Sequence, residues 1–243
     1  MSSYYIHHVK KELRSWRREM MKNPSYFNRF SKKIQVKINS YIPEKVHEAI
    51  TSAIKQMIRG VLFGAKTITA SPEKINSLET TETIIREKIE WYKKTAAAEG
   101  GITGAGGILG SFADFPILIG IKIKMLFDIA STYGYDVKDY RERVYILHIF
   151  QLAFSSHQHR KNVYLKMADW KKQVTELPED IHDFDWRNFQ QEYRDYIDLA
   201  KLAQMIPLIG AAVGLVVNYR LLKKLGYTAM NAYRMRLEEE QVI

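Results

Sequence analysis

Residues 99–136 read EGGITGAGGILGSFADFPILIGIKIKMLFDIASTYGYD, and the fold turns on how they are taken. Six of the chain's thirteen glycines fall between positions 100 and 110. A glycine inside a helix costs roughly 1 kcal/mol relative to alanine, so this density excludes a stable exposed helix there. It suits close backbone approach or sharp turns. Asp114-Phe115-Pro116 then reads as a helix start, with Asp capping free amides and Pro in the first turn. The predicted helix runs Ile117–Tyr133, with Leu118, Ile121, Met125, Phe127, Ile129 and Ala130 apolar, and Gly134 closes it. A shorter partner stretch, IPLIGAAVGLVVNY, occupies 206–219. The two glycine-rich apolar segments are expected to pack on each other in the core.

Helical spacing recurs outward from this centre. Val46 to Leu62 forms a broad apolar face after Pro43. Thr80–Ala98 opens with an acidic first turn, which suits a helix N-terminus. Arg141–Phe154, Asn162–Val174 and Arg187–Gln204 read as further helices, with Phe184 and Trp186 docked from a loop between them. The second apolar segment is expected to stop at Gly226, followed by a last helix over Tyr227–Glu240. No strand pattern stands out. The fold class is all-α: a compact multi-helix bundle of roughly nine or ten helices. Residues 1–70 form a basic N-terminal helical region and 71–243 the main helical domain. Expected core positions are Ile54, Ile58, Ile89, Leu118, Ile121, Met125, Ile129, Leu147 and Val213.

Charge is concentrated at one end. Ten Lys and Arg stand against two Glu in the first 37 residues, which leaves +8 there out of a chain total of +10. Tyr4–Met21 places Ile6, Val9, Leu13, Trp16 and Met20 on one stripe, with Lys10, Arg14, Arg17 and Arg18 beside or opposite it. Two readings fit: a helix packed on its own domain with a solvated basic face, or a membrane-interface helix. In the second, Lys10, Arg14, Trp16, Arg17 and Arg18 would meet anionic lipid. No signal peptide is read at the N-terminus. Ile206–Tyr219 is too short to span a bilayer, and Ile102–Ile123 is interrupted by Asp114 and Pro116. A soluble or peripheral protein is therefore expected.

Catalytic patterns are sparse. The absence of cysteine excludes disulfides and thiolate zinc sites. No Gly-Lys-Ser/Thr follows the glycines, and no preceding strand supports a dinucleotide fingerprint. His148, His157 and His159 form the one His-rich region, without an acidic residue at ligand spacing. Ser155-Ser156-His157 lacks the Gly-x-Ser-x-Gly elbow. Asp114 is most simply a cap, although a carboxylate in so apolar a setting could be functional. No catalytic residue, metal site or cofactor is assigned. Nucleic-acid binding is not expected, since no recognised motif accompanies the basic helix and its aromatics fall on the apolar face.

Gly100-Gly101, Gly104, Gly107, Ala113-Asp114-Phe115-Pro116 and FDIASTYGYD at 127–136 resemble the central motif of the EcsC family. Pro207, Gly210, Gly214, Asn218 and Gly226-Tyr-Thr-Ala229 resemble its C-terminal motif. The resemblance spans about residues 85–240. It implies a link to an ABC transporter and protein secretion in Gram-positive bacteria, and it carries over no catalytic residues. Motif positions of structural weight are Gly100, Gly104, Gly107, Asp114, Pro116, Tyr133, Gly134, Pro207, Gly210, Gly214, Asn218 and Gly226. The expected function is a non-enzymatic accessory protein, cytoplasmic and peripheral at the inner face of the plasma membrane. Its expected partners are anionic lipid and, as the resemblance implies, an ABC transporter. The alternative is a hydrolase or metal-dependent enzyme using Asp114 or the His148/His157/His159 region.

Overall fold

A computed structural model describes residues 3–22, 44–63, 72, 77–103, 115–156, 159–197 and 211–243. Among these, nine α-helices carry the fold. They are α1 (Ser3–Met21), α2 (Glu44–Phe63), α3 (Leu78–Thr103), α4 (Phe115–Thr132), α5 (Tyr140–Phe154), α6 (Arg160–Ala168), α7 (Trp170–Glu176), α8 (Trp186–Tyr196) and α9 (Ala211–Glu239). A 3-10 turn covers Ile181–Asp183. The only pairing of extended backbone among the described residues is a single bridge between Ser155 and Ile197. The chain is all-α, as its apolar spacing predicts.

Three long helices form the centre. Arg234 of α9 meets Glu82 of α3, and Lys93 lies over the Tyr219 ring, so α3 and α9 are antiparallel. Lys88 and Tyr92 of α3 meet Thr132 and Asp128 of α4, again antiparallel. Lys122 meets Asn218, and Tyr133 stacks on Tyr233, so α4 and α9 run parallel. The last turn of α3 and the first turns of α4 and α9 therefore share one end. Gly100 and Gly101 of α3 and Gly214 of α9 fall at that end. α1 crosses the opposite end, where Tyr5 reaches Glu82 and Glu12 reaches Arg234.

One apolar core runs from Val9 in α1 to Leu237 in α9. Ile54, Ile58, Ile89, Leu118, Met125, Ile129 and Leu147 are buried in it as expected. Ile121 is only half-buried, because it sits on the outer flank of α4. Val213 lies in α9, and nothing is described of its side chain.

Four element boundaries depart from the sequence reading. α3 does not stop at Ala98 but runs on through Gly100 and Gly101 to Thr103. Asn162–Val174 is not one helix. Asp169 leaves helical geometry at φ −118°, ψ 47°, which re-aims Trp170 into the core beside Val163 and Met167. The helix over 187–204 ends at Tyr196, where Ile197 turns extended to meet Ser155; residues 198–204 lie outside the described region. Gly226 does not stop a helix: α9 is continuous over 29 residues. A Cβ at Gly226 would sit 2.7 Å from Ile89 Cδ1 and 2.9 Å from its Cγ1. Glycine is there because α3 and α9 touch.

Candidate functional site

The motif at 127–136 delivers its polar side chains into a buried network. Gly134 adopts φ +90°, a value that costs L-residues with a Cβ and that glycine adopts freely. Its amide donates to Ser131 O at 2.9 Å, and the Tyr135 amide donates to Ala130 O at 3.0 Å. These two bonds make the left-handed helix cap that glycine favours. The cap turns the chain so that Tyr133 and Tyr135 both face the end of α9.

Two ion pairs lie there, two residues apart on α9. Arg234 grips Glu82 with both ends of its fork, Nε to Oε1 at 2.7 Å and Nη2 to Oε2 at 2.5 Å. Tyr133 OH donates to Oε1 at 3.2 Å and Tyr5 OH to Oε2 at 2.6 Å. Arg86 adds a fourth donor residue at 3.1 Å, and the other side of Arg234 reaches Glu12 at 2.9 Å. The second pair joins Arg236 to Glu142, whose Oε1 also accepts from Tyr233 OH at 2.6 Å. Tyr233 stacks between Tyr133 and Tyr135, with centroids 5.2 and 5.1 Å away. The Arg236 guanidinium lies 3.9 Å over the Tyr135 ring.

Electrostatics follow from burial. Burial alone would lower the Arg234 pKa, but the Glu82 carboxylate raises it above the usual arginine range. Desolvation pushes the Glu142 carboxyl up against the opposing pull of Arg236. Desolvation also holds the Tyr133 and Tyr233 hydroxyls well above the usual tyrosine range. With both oxygens of Glu82 and of Glu142 engaged by arginine or tyrosine, these two pairs neutralise themselves. They fix α1, α3, α4, α5 and α9 to one another.

Lys122 stands apart. It is fully buried near the opposite end of the three-helix centre, with its Nζ donating to Leu118 O at 3.2 Å and Asn218 Oδ1 at 3.1 Å. No described carboxylate is paired with it, and desolvation lowers its pKa to about 7. Asp128, from the same motif, accepts from Tyr92 OH and from Lys124 at 2.5 Å.

The positions singled out in the sequence separate clearly. Tyr133 and Asn218 join the buried polar structure, Gly134 caps α4 at the surface, Gly226 makes the α3–α9 contact, and Pro116 is exposed in the first turn of α4. Gly100 and Gly214 fall within α3 and α9, with nothing described of their surroundings. Gly104, Gly107, Asp114, Pro207, Gly210 and His157 lie outside the described residues. His148 is buried against Trp170 and Phe189 and bonded to Gln151 at 3.1 Å; burial lowers its pKa to about 4. His159 instead stacks on Tyr196. No group of three His, Asp or Glu capable of holding a metal occurs among the described residues. Sequence reasoning missed Glu82, Glu142, Arg234, Arg236 and Lys122. Only the burial of helix faces at 82, 122 and 142, at the spacing of their apolar neighbours, could have flagged them.

On α1 the apolar stripe is turned inward. Trp16 packs edge-on against Tyr164 and is 2% exposed, so in this fold it is unavailable to a bilayer. Lys10 is half-buried, and Arg17 is held by Glu238 at 2.5 Å. Arg14 and Arg18 are exposed. With His7 and Lys11 they make a straight outer row at i, i+4, i+7 and i+11, along a shallow furrow of about 650 Å³. No described carboxylate pairs with Lys11, Arg14 or Arg18. Among the described residues, no helix is long and apolar enough to cross a membrane.

Residues 7–237 match the EcsC protein family. The chain is 44% identical to Protein EcsC of Bacillus subtilis (strain 168) over 230 residues, covering 94% of each chain. It is 27% identical to the Uncharacterized protein YdbA of the same organism, covering 95% of this chain and 92% of that one. No solved structure matches.

Proposed function

The chain belongs to the EcsC family, and from that premise we propose that it is a non-enzymatic accessory protein on the cytoplasmic face of the membrane, working beside an ABC transporter in protein secretion. The observation that carries the membrane part is the outer row of α1: His7, Lys11, Arg14 and Arg18 face solvent with no described carboxylate among them. Each basic residue near an anionic bilayer contributes about 1 kcal/mol, and salt screens that attraction. Because Trp16 is in the core, the contact is electrostatic, made by guanidinium and ammonium heads rather than by an inserted ring. The buried ion pairs support the non-enzymatic part, since they satisfy one another and are shut from solvent.

Co-sedimentation with vesicles tests the proposal. Wild-type protein should bind vesicles rich in phosphatidylglycerol, release at 0.5 M salt (Debye length about 4 Å) and ignore phosphatidylcholine vesicles. Arg14→Glu/Arg18→Glu should abolish binding with an unchanged melting midpoint. Equal binding to neutral and anionic vesicles would remove the electrostatic reading. Crosslinking in the native host, read by mass spectrometry, tests the transporter link.

A further inference from the structure

A cleft of about 200 Å³ opens between α2 and α8. Thr51 and Ile54 form its α2 wall, and Arg187, Gln190, Gln191 and Arg194 form its α8 wall. The four α8 residues stand at i, i+3, i+4 and i+7, so one helical face carries them all. The opposite face packs inward: Tyr193 is buried, and its hydroxyl donates to Leu147 O of α5 at 3.0 Å. Two further cations flank the cleft from α2. The Arg59 guanidinium lies 5.9 Å from the centre of the Trp186 ring, and that of Arg187 lies 5.7 Å from it. Lys55 is four residues from both Thr51 and Arg59, which puts it on their side of the helix.

The fold leaves these charges unanswered. No described carboxylate pairs with Lys55, Arg59 or Arg187. Arg194 has Asp195 at 3.6 Å from its Nε, too long for a hydrogen bond. The amides of Gln190 and Gln191 and the Thr51 hydroxyl bond to no described group. Elsewhere the protein matches its cations: Arg234, Arg236 and Lys166 each hold a carboxylate. Like charges four apart on one helix, as at Lys55 and Arg59, destabilise it unless a counter-charge is present.

The donor set selects the ligand. Guanidinium forks match the paired oxygens of an oxyanion. Two arginines, two amides and a hydroxyl offer more donors than the two oxygens of a carboxylate can accept. A phosphate monoester brings three terminal oxygens and close to two negative charges at neutral pH. The cleft is smaller than the roughly 300–1,000 Å³ of drug-sized pockets. It has room for one phosphate with a short substituent and none for a docked helix, which is about 10 Å across.

We propose that the α2–α8 cleft binds the phosphate of a phosphate monoester, gripped by Arg187 and Arg194, with Lys55 and Arg59 adding charge at its rim. The site shares no residue with the α1 row, so it stands or falls apart from membrane attachment there.

Calorimetric titration of the full chain with glycerol phosphate tests this. One site per chain is expected, and glycerol should not bind. Arg187 and Arg194 are exposed, so Arg187→Gln and Arg194→Gln should keep the wild-type melting midpoint while each weakens binding about tenfold or more. Wild-type affinity in the double variant, or no binding to the wild type, would overturn the site. Acetate bound as tightly as glycerol phosphate would overturn the choice of phosphate. Vesicles identify the source of the ester, using protein that carries Arg14→Glu/Arg18→Glu. Capture by phosphatidic acid vesicles but not by phosphatidylglycerol vesicles, whose phosphate is a diester, and its loss on adding Arg187→Gln, would assign a lipid headgroup. Glycerol phosphate binding without such capture would assign a soluble ester.

Discussion

Lys122 is the residue whose chemistry is most at odds with its surroundings. Its pKa falls from the ordinary 10.5 to about 7 because burial disfavours the charged amine. The sign follows. Between pH 7 and 10.5 the unfolded chain holds a proton that the folded chain lacks, so stability rises with pH across that window. Below pH 7 the penalty is constant, at up to about 5 kcal/mol for a shift of this size. Lys122→Met should therefore stabilise the protein near pH 7, and its advantage should fade toward pH 10.5. Urea titrations at the two pH values check this; an advantage that is flat with pH would mean the amine is not desolvated. His148 acts with the same sign at a lower pH. Its pKa drops to about 4, so the unfolded chain takes up a proton below 6.5 that the folded chain refuses. Stability should fall by up to about 3 kcal/mol between pH 6.5 and 4, and His148→Gln should flatten that slope.

At the scale of elements, the α4 cap and the α3–α9 contact decide the packing. Gly134→Ala forces a Cβ into φ +90° and should cost about 1–2 kcal/mol, read as a lower urea midpoint. Gly226→Ala meets Ile89 at 2.7 Å and should cost about 1–3 kcal/mol, with Ile89→Ala restoring part of the loss. Additive losses would show that the two helices do not touch there. Arg234→Met leaves Glu82 charged and buried and should cost about 3–5 kcal/mol, whereas Arg234→Met/Glu82→Leu should cost much less than the sum of the singles. These elements also show what the sequence makes legible. Gly134 follows a completed apolar helix pattern and precedes a polar turn, so its role as a stop is readable from its neighbours. Gly226 presents the same letter at the end of an apolar run, but its reason is Ile89, far away in the chain. Arg234 and Glu82 are 152 positions apart, and each sits on a helix where charge ordinarily faces water. No local spacing distinguishes a solvated arginine from one that meets its carboxylate only after five helices have packed. The α1 row is readable because it depends on helix period alone, yet the direction Trp16 faces depends on Tyr164 in α6.

For the whole molecule, the parallel and antiparallel pairings separate two surfaces. The basic row belongs to α1, which crosses the end holding Glu82 and Arg234. Gly100, Gly101 and Gly214 lie at the other end, where Val216 and Ile117 are exposed. From Val216 to Arg234 is eighteen residues of α9, a rise of about 27 Å. A bilayer held by α1 therefore leaves the glycine-rich end some way from the lipid and turned toward whatever else the protein meets. Because the chain has no cysteine, single labels report this directly. A polarity-sensitive dye at Ser15→Cys should respond to phosphatidylglycerol vesicles and lose that response in salt. The same dye at Val216→Cys, placed on a residue 50% exposed, should stay silent. A response at Val216 that survives salt, with silence at Ser15, would reverse the molecule. The glycine-rich end would then be the part that meets the bilayer, and the basic row of α1 would face a soluble or transporter-borne acidic surface.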